Sequence, residues 1–163
     1  MRSSILNGDE MNDASIRGRG NRNQGEVGQH IARYILSQMG LGMIEPIHTP
    51  WKVLFKTVGG RRKVVDAFPL EKVSGDFRPI APGGRSVLVE VKSRTTRDTF
   101  RWSDLEPHQH RALQEHYDWG GLSLVCWVID SGECLVMEWP IPGLQKGKSI
   151  TWDDAVEMQF TGI

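Results

Sequence analysis

The stretch Ser86-Val-Leu-Val-Glu-Val-Lys-Ser93 decides how this chain is read. Val87, Leu88, Val89 and Val91 form the near-continuous run of aliphatic residues that a strand buried on both faces needs. Glu90 and Lys92 interrupt it. Strand side chains alternate between faces, so these two point the same way. Charges in a buried strand are rare unless they are paired or bound to a metal. A surface strand with an ordinary Glu–Lys pair is the plainer alternative.

Upstream, residues 73–77 and a turn at Ala81-Pro-Gly-Gly84 make an antiparallel hairpin with 86–93 as its central, buried strand. This brings Asp76 beside Glu90. Two carboxylates in close approach raise each other's pKa unless a cation lies between them. Hard oxygen donors around an open position suit Mg²⁺, with Mn²⁺ as substitute, and the Val91 carbonyl offers a third oxygen. Lys92 would then orient an attacking water and stabilise charge on a phosphate.

On the N-terminal side, residues 25–39 have helical periodicity: Val27, Ile31 and Ile35 repeat every four, extended by Ala32, Tyr34 and Met39. Gly40 and Gly42 end the helix. Glu26, Gln29, His30 and Arg33 fall on a different, polar face. Glu26 lies in the first turn, where the helix dipole by itself favours an acid. Residues 51–58 and the strand after Gly59-Gly60 predict a hairpin. On the C-terminal side, residues 105–119 form a second helix, with Ser103 and Glu106 as capping box and Pro107 in its first turn. A strand over 122–129 follows, then a turn, a strand over 134–139, and a short helix over 151–158 capped by Asp154.

The whole chain, 163 residues, suits one domain: a mobile arm over 1–24 and a single α/β domain over 25–163. No apolar run approaches the length of a membrane span, and the N-terminus has no signal-peptide core. Two cysteines, Cys126 and Cys134, make neither a disulfide framework nor a zinc knuckle, and a reducing, cytoplasmic compartment is expected. Both are read as strand residues, neighbours across a hairpin.

Lys plus Arg and Asp plus Glu both total 20, but residues 1–111 hold 18 basic and 12 acidic side chains, and 112–163 hold 2 and 8. Such segregation leaves room for a polyanion partner. Residues 51–65 carry five basic side chains and no acidic one, which fits either a charge-protected edge strand or a phosphate-contacting hairpin. Arg17, Arg19 and Arg22 in the arm fit either a solvated tail or a phosphate contact.

The motif order resembles the PD-(D/E)xK nuclease superfamily, and within it the Holliday-junction resolvases of the archaeal and Gram-positive bacterial recombination-protein-U types. The resemblance rests on Gly25-Glu26, Ser74-Gly75-Asp76-Phe77, Leu88-Val89-Glu90-Val91-Lys92-Ser93, Phe100-Arg-Trp-Ser-Asp-Leu105, His108-Gln109 and Gly120-Gly121-Leu122-Ser123-Leu124. It covers roughly residues 24–140. It implies a restriction-endonuclease-like mixed central β-sheet flanked by helices. It further implies a homodimer that cuts four-way DNA junctions with Mg²⁺. Asp76 and Glu90 would be metal ligands, Lys92 the catalytic lysine, Glu26 a helix-one acid holding a metal or its water, and Gln109 a supporting polar residue. Where the family carries a proline before the aspartate, Gly75 stands here.

On this reading Lys52, Lys56, Arg61, Arg62, Lys63, Arg94, Arg97 and Arg101 are candidate contacts to the DNA backbone, sequence-indifferent and salt-dependent. Other substrates of the same chemistry (duplex, flap or single-stranded DNA) and an inactive DNA-binding accessory protein are the alternatives. His108, His110 and His116 do not have the spacing of a zinc site. Trp102, Trp119, Trp127 and Trp139 are read as core or dimer-interface residues, with Phe100 or Trp102 the candidate wedge into a junction.

Overall fold

The computed structural model describes residues 24–69 and 73–162, so residues 1–23 of the expected arm, with Arg17, Arg19 and Arg22, lie outside the described residues, and Gln24 opens the first helix instead. Helix α1 covers residues 24–38. Next come strands β1 (Trp51–Val58), β2 (Arg61–Pro69), β3 (Val87–Arg94) and β4 (Thr99–Arg101). Helix α2 (Pro107–Asp118), strands β5 (Leu122–Ile129), β6 (Cys134–Glu138) and β7 (Ser149–Thr151), and helix α3 (Trp152–Glu157) complete the order. The protein is mixed α/β, its main sheet flanked by helices.

That sheet has the order β3-β5-β6, with β3 parallel to β5 and β5 antiparallel to β6. The parallel pair requires a crossover, which β4 and α2 supply. Every residue of β5 is buried, because both faces of the sheet are covered. Leu124, Cys126 and Val128 join Ala32 and Leu36 of α1 in one core, and Val125, Trp127 and Ile129 join Leu113 of α2 and Ala155 of α3 in the other. Cys126 lies diagonally from Cys134 across β5–β6, both as free thiols.

The α1 stripe is rotated from the expected one. Gly28, Ala32 and Leu36 face the sheet, whereas Val27 and Tyr34 are 54% and 64% exposed. Gly28 explains the rotation: a Cβ there would lie 1.8 Å from Ser93 Oγ, so the helix approaches closest along its smallest residues. A hydrophobicity count ignores that kind of contact. Gly40, at φ 85°, ends the helix as expected, with Gly40 N–H donating to Ser37 O and Leu41 N–H to Leu36 O.

The β1–β2 hairpin forms as expected and pairs only with itself among the described residues, so it is not an edge strand of the main sheet. The short β4–β7 pair was not anticipated; three-residue strands show no periodicity. The capping box of α2 also moves. Its N-cap is Glu106, and Glu106 and Gln109 bond reciprocally where Ser103 and Glu106 were expected. Thr151 and Asp154 cap α3 as expected.

Candidate functional site

Strand β3 is held on its outer edge by the segment 76–80. Val89 N–H donates to Phe77 O at 3.0 Å and Asp76 N–H to Val89 O at 2.6 Å. Pro79, which has no N–H, accepts from Val87 through its carbonyl. The partner is therefore a series of single bridges rather than a full strand, and β5, not β3, is the middle strand of the sheet. The register still sets Asp76 beside Glu90.

Every oxygen of the two carboxylates has a donor. Asp76 Oδ1 accepts from Gln29 Nε2 at 2.6 Å and Oδ2 from Val91 N–H at 2.7 Å. Glu90 Oε2 accepts from Gly75 N–H at 3.1 Å, and Oε1 from Gln109 Nε2. Lys92 Nζ lies 3.1 Å from Glu90 Oε1 and donates to Gln109 Oε1 at 2.8 Å. Gln109 Oε1 also accepts from Glu106 N–H, so the α2 capping box fixes the amide with its oxygen on the lysine and its nitrogen on the acid. Glu90 is 4% exposed. Glu90, Lys92 and Gln109 come together on the α2 side of the sheet, and Asp76 is reached from α1.

Burial dominates the electrostatics. It pushes Glu90 up to about 7, helped by the charge of Asp76 and opposed by Lys92 and the Gly75 N–H. Burial likewise raises Asp76, against the pull of the Val91 N–H, Gln29 and Lys92. Two carboxylates that resist ionising together form a pair that a hard dication relieves. Extended backbone puts a residue's N–H and C=O on the same strand edge. The Val91 N–H faces Asp76, so its carbonyl faces the same side. Among the described residues no group of three or more His, Cys, Asp or Glu is placed to hold a metal ion. Two carboxylates and a carbonyl nevertheless suit Mg²⁺, which keeps several of its waters.

Glu26 does not join the two acids. Gln29, one turn further along α1, makes the contact to Asp76, while the exposed Glu26 lines a neighbouring cavity. Gln29 was visible in the sequence as a member of the polar face, but nothing there ranked it above Glu26. Gly75 was also undervalued. At φ 86° it occupies a backbone conformation closed to proline, and its N–H is committed to Glu90. The local backbone thus requires glycine rather than proline before Asp76.

The basic residues divide. Lys52, Lys56, Arg61, Arg62 and Lys63 are exposed on the β1–β2 hairpin, with Arg62 lying 4.3 Å over the Phe55 ring. Arg101 is exposed at the end of β4. Arg94 is paired with Asp104 and Arg97 with Glu133, so both offer less charge to a ligand than expected. Phe100 is fully buried against Trp127 and is no wedge; Trp102 stacks on His110 with ring centroids 3.8 Å apart. Trp127 and Trp139 are core residues, but Trp119 is 90% exposed. The histidines do not converge. His108 pairs with Glu106, His110 contacts Trp102 O, and His116 bridges Ser86 and Ser123.

No family model matches this chain, and no curated protein matches its sequence. Among the described residues no helix is long and apolar enough to cross a membrane.

Proposed function

We propose that the protein is a metal-dependent endonuclease that hydrolyses phosphodiesters in branched DNA, four-way junctions above all, and works as a homodimer. The observation that carries this reading is the convergence of Asp76, Glu90 and Lys92 on a sheet edge, braced by Gln109 from one helix and Gln29 from another. Asp76, Glu90 and the Val91 carbonyl would hold Mg²⁺ or Mn²⁺, which when bound supplies positive charge between the acids and lowers the pKa of coordinated water.

The chain's own groups do the rest. Lys92, held by Gln109 and Glu90 and 20% exposed, presents an oriented ammonium to the charge that builds on a phosphate during attack. Electrostatic groups of this kind are worth ~3–4 kcal/mol each. Gln29 and the Val91 N–H hold Asp76 in one orientation, so little reorganisation is needed. The cations of the β1–β2 hairpin and Arg101 supply backbone contacts without reading sequence.

The test is cleavage of a four-way junction, a flap and a linear duplex with and without Mg²⁺. Cleavage is expected to require the metal and to favour the junction. Asp76→Ala, Glu90→Ala and Lys92→Ala are each expected to abolish cleavage and to leave junction binding largely intact. Full cleavage by all three variants would sink the proposal. Equal cleavage of all three DNAs would move the substrate to ordinary duplex or flap DNA, and sedimentation of the full chain reads the dimer.

A further inference from the structure

The polar face of α1 does more than reach Asp76. Glu26, Gln29, His30 and Arg33 recur at helical spacing and, with Pro46 and Phe77, line a cavity of about 170 Å³. Gln29 belongs both to this cavity and to the candidate site, through its hydrogen bond to Asp76. The floor is tied to the same residue: Pro46 bridges Phe77, and Ile47 N–H donates to Asp76 O at 2.9 Å. The cavity therefore lies next to Gln29, the side chain that holds the Asp76 carboxylate.

A second cavity, of about 430 Å³, continues along the helix, lined by His30, Arg33, Tyr34, Ser37, Leu41, Met43 and Ile44. His30 and Arg33 line both, so the two adjoin as a groove along α1. Among the described residues neither His30 nor Arg33 has a side-chain hydrogen bond or ion pair. Tyr34 is 64% exposed and Met43 is 73% exposed on the same groove. Gln29 and Arg33 are four residues apart, ~6 Å along a helix axis.

A guanidinium with no partner among the described residues, an exposed aromatic ring and an apolar floor are the elements of a site for a nucleotide: charge for the phosphate, a flat face for the base. We propose that this groove carries the DNA strand next to the cleaved bond, with Arg33 and His30 on the neighbouring phosphate and the following base stacked on Tyr34. This inference rests on the endonuclease reading and adds a strand-positioning subsite to it.

The experiment measures equilibrium binding of the full chain to a four-way junction without divalent metal, across a range of salt. Arg33→Ala is expected to bind ~10-fold more weakly and to reduce the slope of log affinity against log salt by ~0.9, the value of one phosphate contact. Arg33→Lys is expected to keep the slope. Tyr34→Ala is expected to lose ~5-fold or more in affinity with the slope unchanged, and Tyr34→Phe to restore it. Scanning the junction with single neutral methylphosphonates is expected to find one position, next to the cut, where wild type loses affinity and Arg33→Ala loses none. Arg33 and Tyr34 are both exposed, so unchanged melting temperatures are expected for their variants. Wild-type affinity and slope in Arg33→Ala and Tyr34→Ala, beside a wild type that binds and cleaves, overturn the groove alone. A wild type that binds no DNA overturns the endonuclease reading as well.

Discussion

Gly75 and Gly83 have nearly the same positive φ, 86° and 82°, in different surroundings. A Cβ on Gly83 would meet nothing within 4 Å, whereas one on Gly75 would lie 2.4 Å from Leu88 Cδ1 and 3.2 Å from Ile47 Cδ1. Leu88 is 3% exposed in the core beneath the site and has little room to retreat. Replacing either glycine with alanine costs ~1–2 kcal/mol for the left-handed backbone. Gly75→Ala adds ~1–3 kcal/mol of overpacking. We expect a loss of ~1–2 kcal/mol for Gly83→Ala and ~2–5 kcal/mol for Gly75→Ala, measured by urea unfolding. At ~2–4 °C per kcal/mol for a domain of this size, the two melting temperatures separate by ~2–12 °C. Trimming Leu88 to alanine in the Gly75→Ala background is expected to cost less than the sum of the single changes, because the clash is gone. Equal losses for the two glycine variants, within ~0.5 kcal/mol, would refute the reasoning. The same comparison reaches the chemistry. Displacing the Gly75 N–H from Glu90 Oε2 is expected to lower cleavage, while Gly83→Ala leaves it intact.

Three further outcomes are expected. Mg²⁺ should raise the melting temperature of the wild type, by up to ~2.7 kcal/mol of stability at a hundred times its Kd, and Asp76→Asn should abolish the effect; calorimetry with and without chelator checks this. His116 is held below its ordinary pKa by partial burial, with Arg78 and Arg85 contributing, so the folded state binds its proton less readily than the unfolded one. Stability from this group is full above ~6.5 and falls as pH drops below that value; thermal melts between pH 7 and 5 should fall more for the wild type than for His116→Gln. Trp127→Ala should cost ~3–5 kcal/mol and Trp119→Ala less than ~0.5 kcal/mol, in line with full burial and near-complete exposure.

Much of the core was legible in the sequence because burial on two faces leaves a strong signature. The apolar run 122–129 and the aliphatic residues of 86–93 specify two largely buried strands, and Gly59-Gly60, Gly40 and the Thr151–Asp154 box mark element ends through local backbone chemistry. Charge inside an apolar strand, with an acid one hairpin away, drew attention to Asp76, Glu90 and Lys92, since strand alternation and hairpin register are local rules. The packing phase of α1 was not legible, because Gly28 contributes nothing to a hydrophobic stripe and decides the helix's approach by being small. For the same reason the contact to Asp76 fell to Gln29 rather than Glu26: three residues turn a helix through most of a revolution, and only the seated helix says which residue faces the sheet edge. The pairings of Arg94 with Asp104 and Arg97 with Glu133 join residues from separate elements. The two sides of the groove along α1 likewise come from distant segments, Arg33 and Tyr34 on one side and Pro46, Phe77 and Met43 on the other. The sequence by itself determined the longer strands, the turns and the charged triplet, where neighbours along the chain supply the physics. Which helix residue meets the acid, which cations stay exposed and where the groove along α1 runs were decided only by the tertiary structure, through contacts between segments that the order of residues leaves apart.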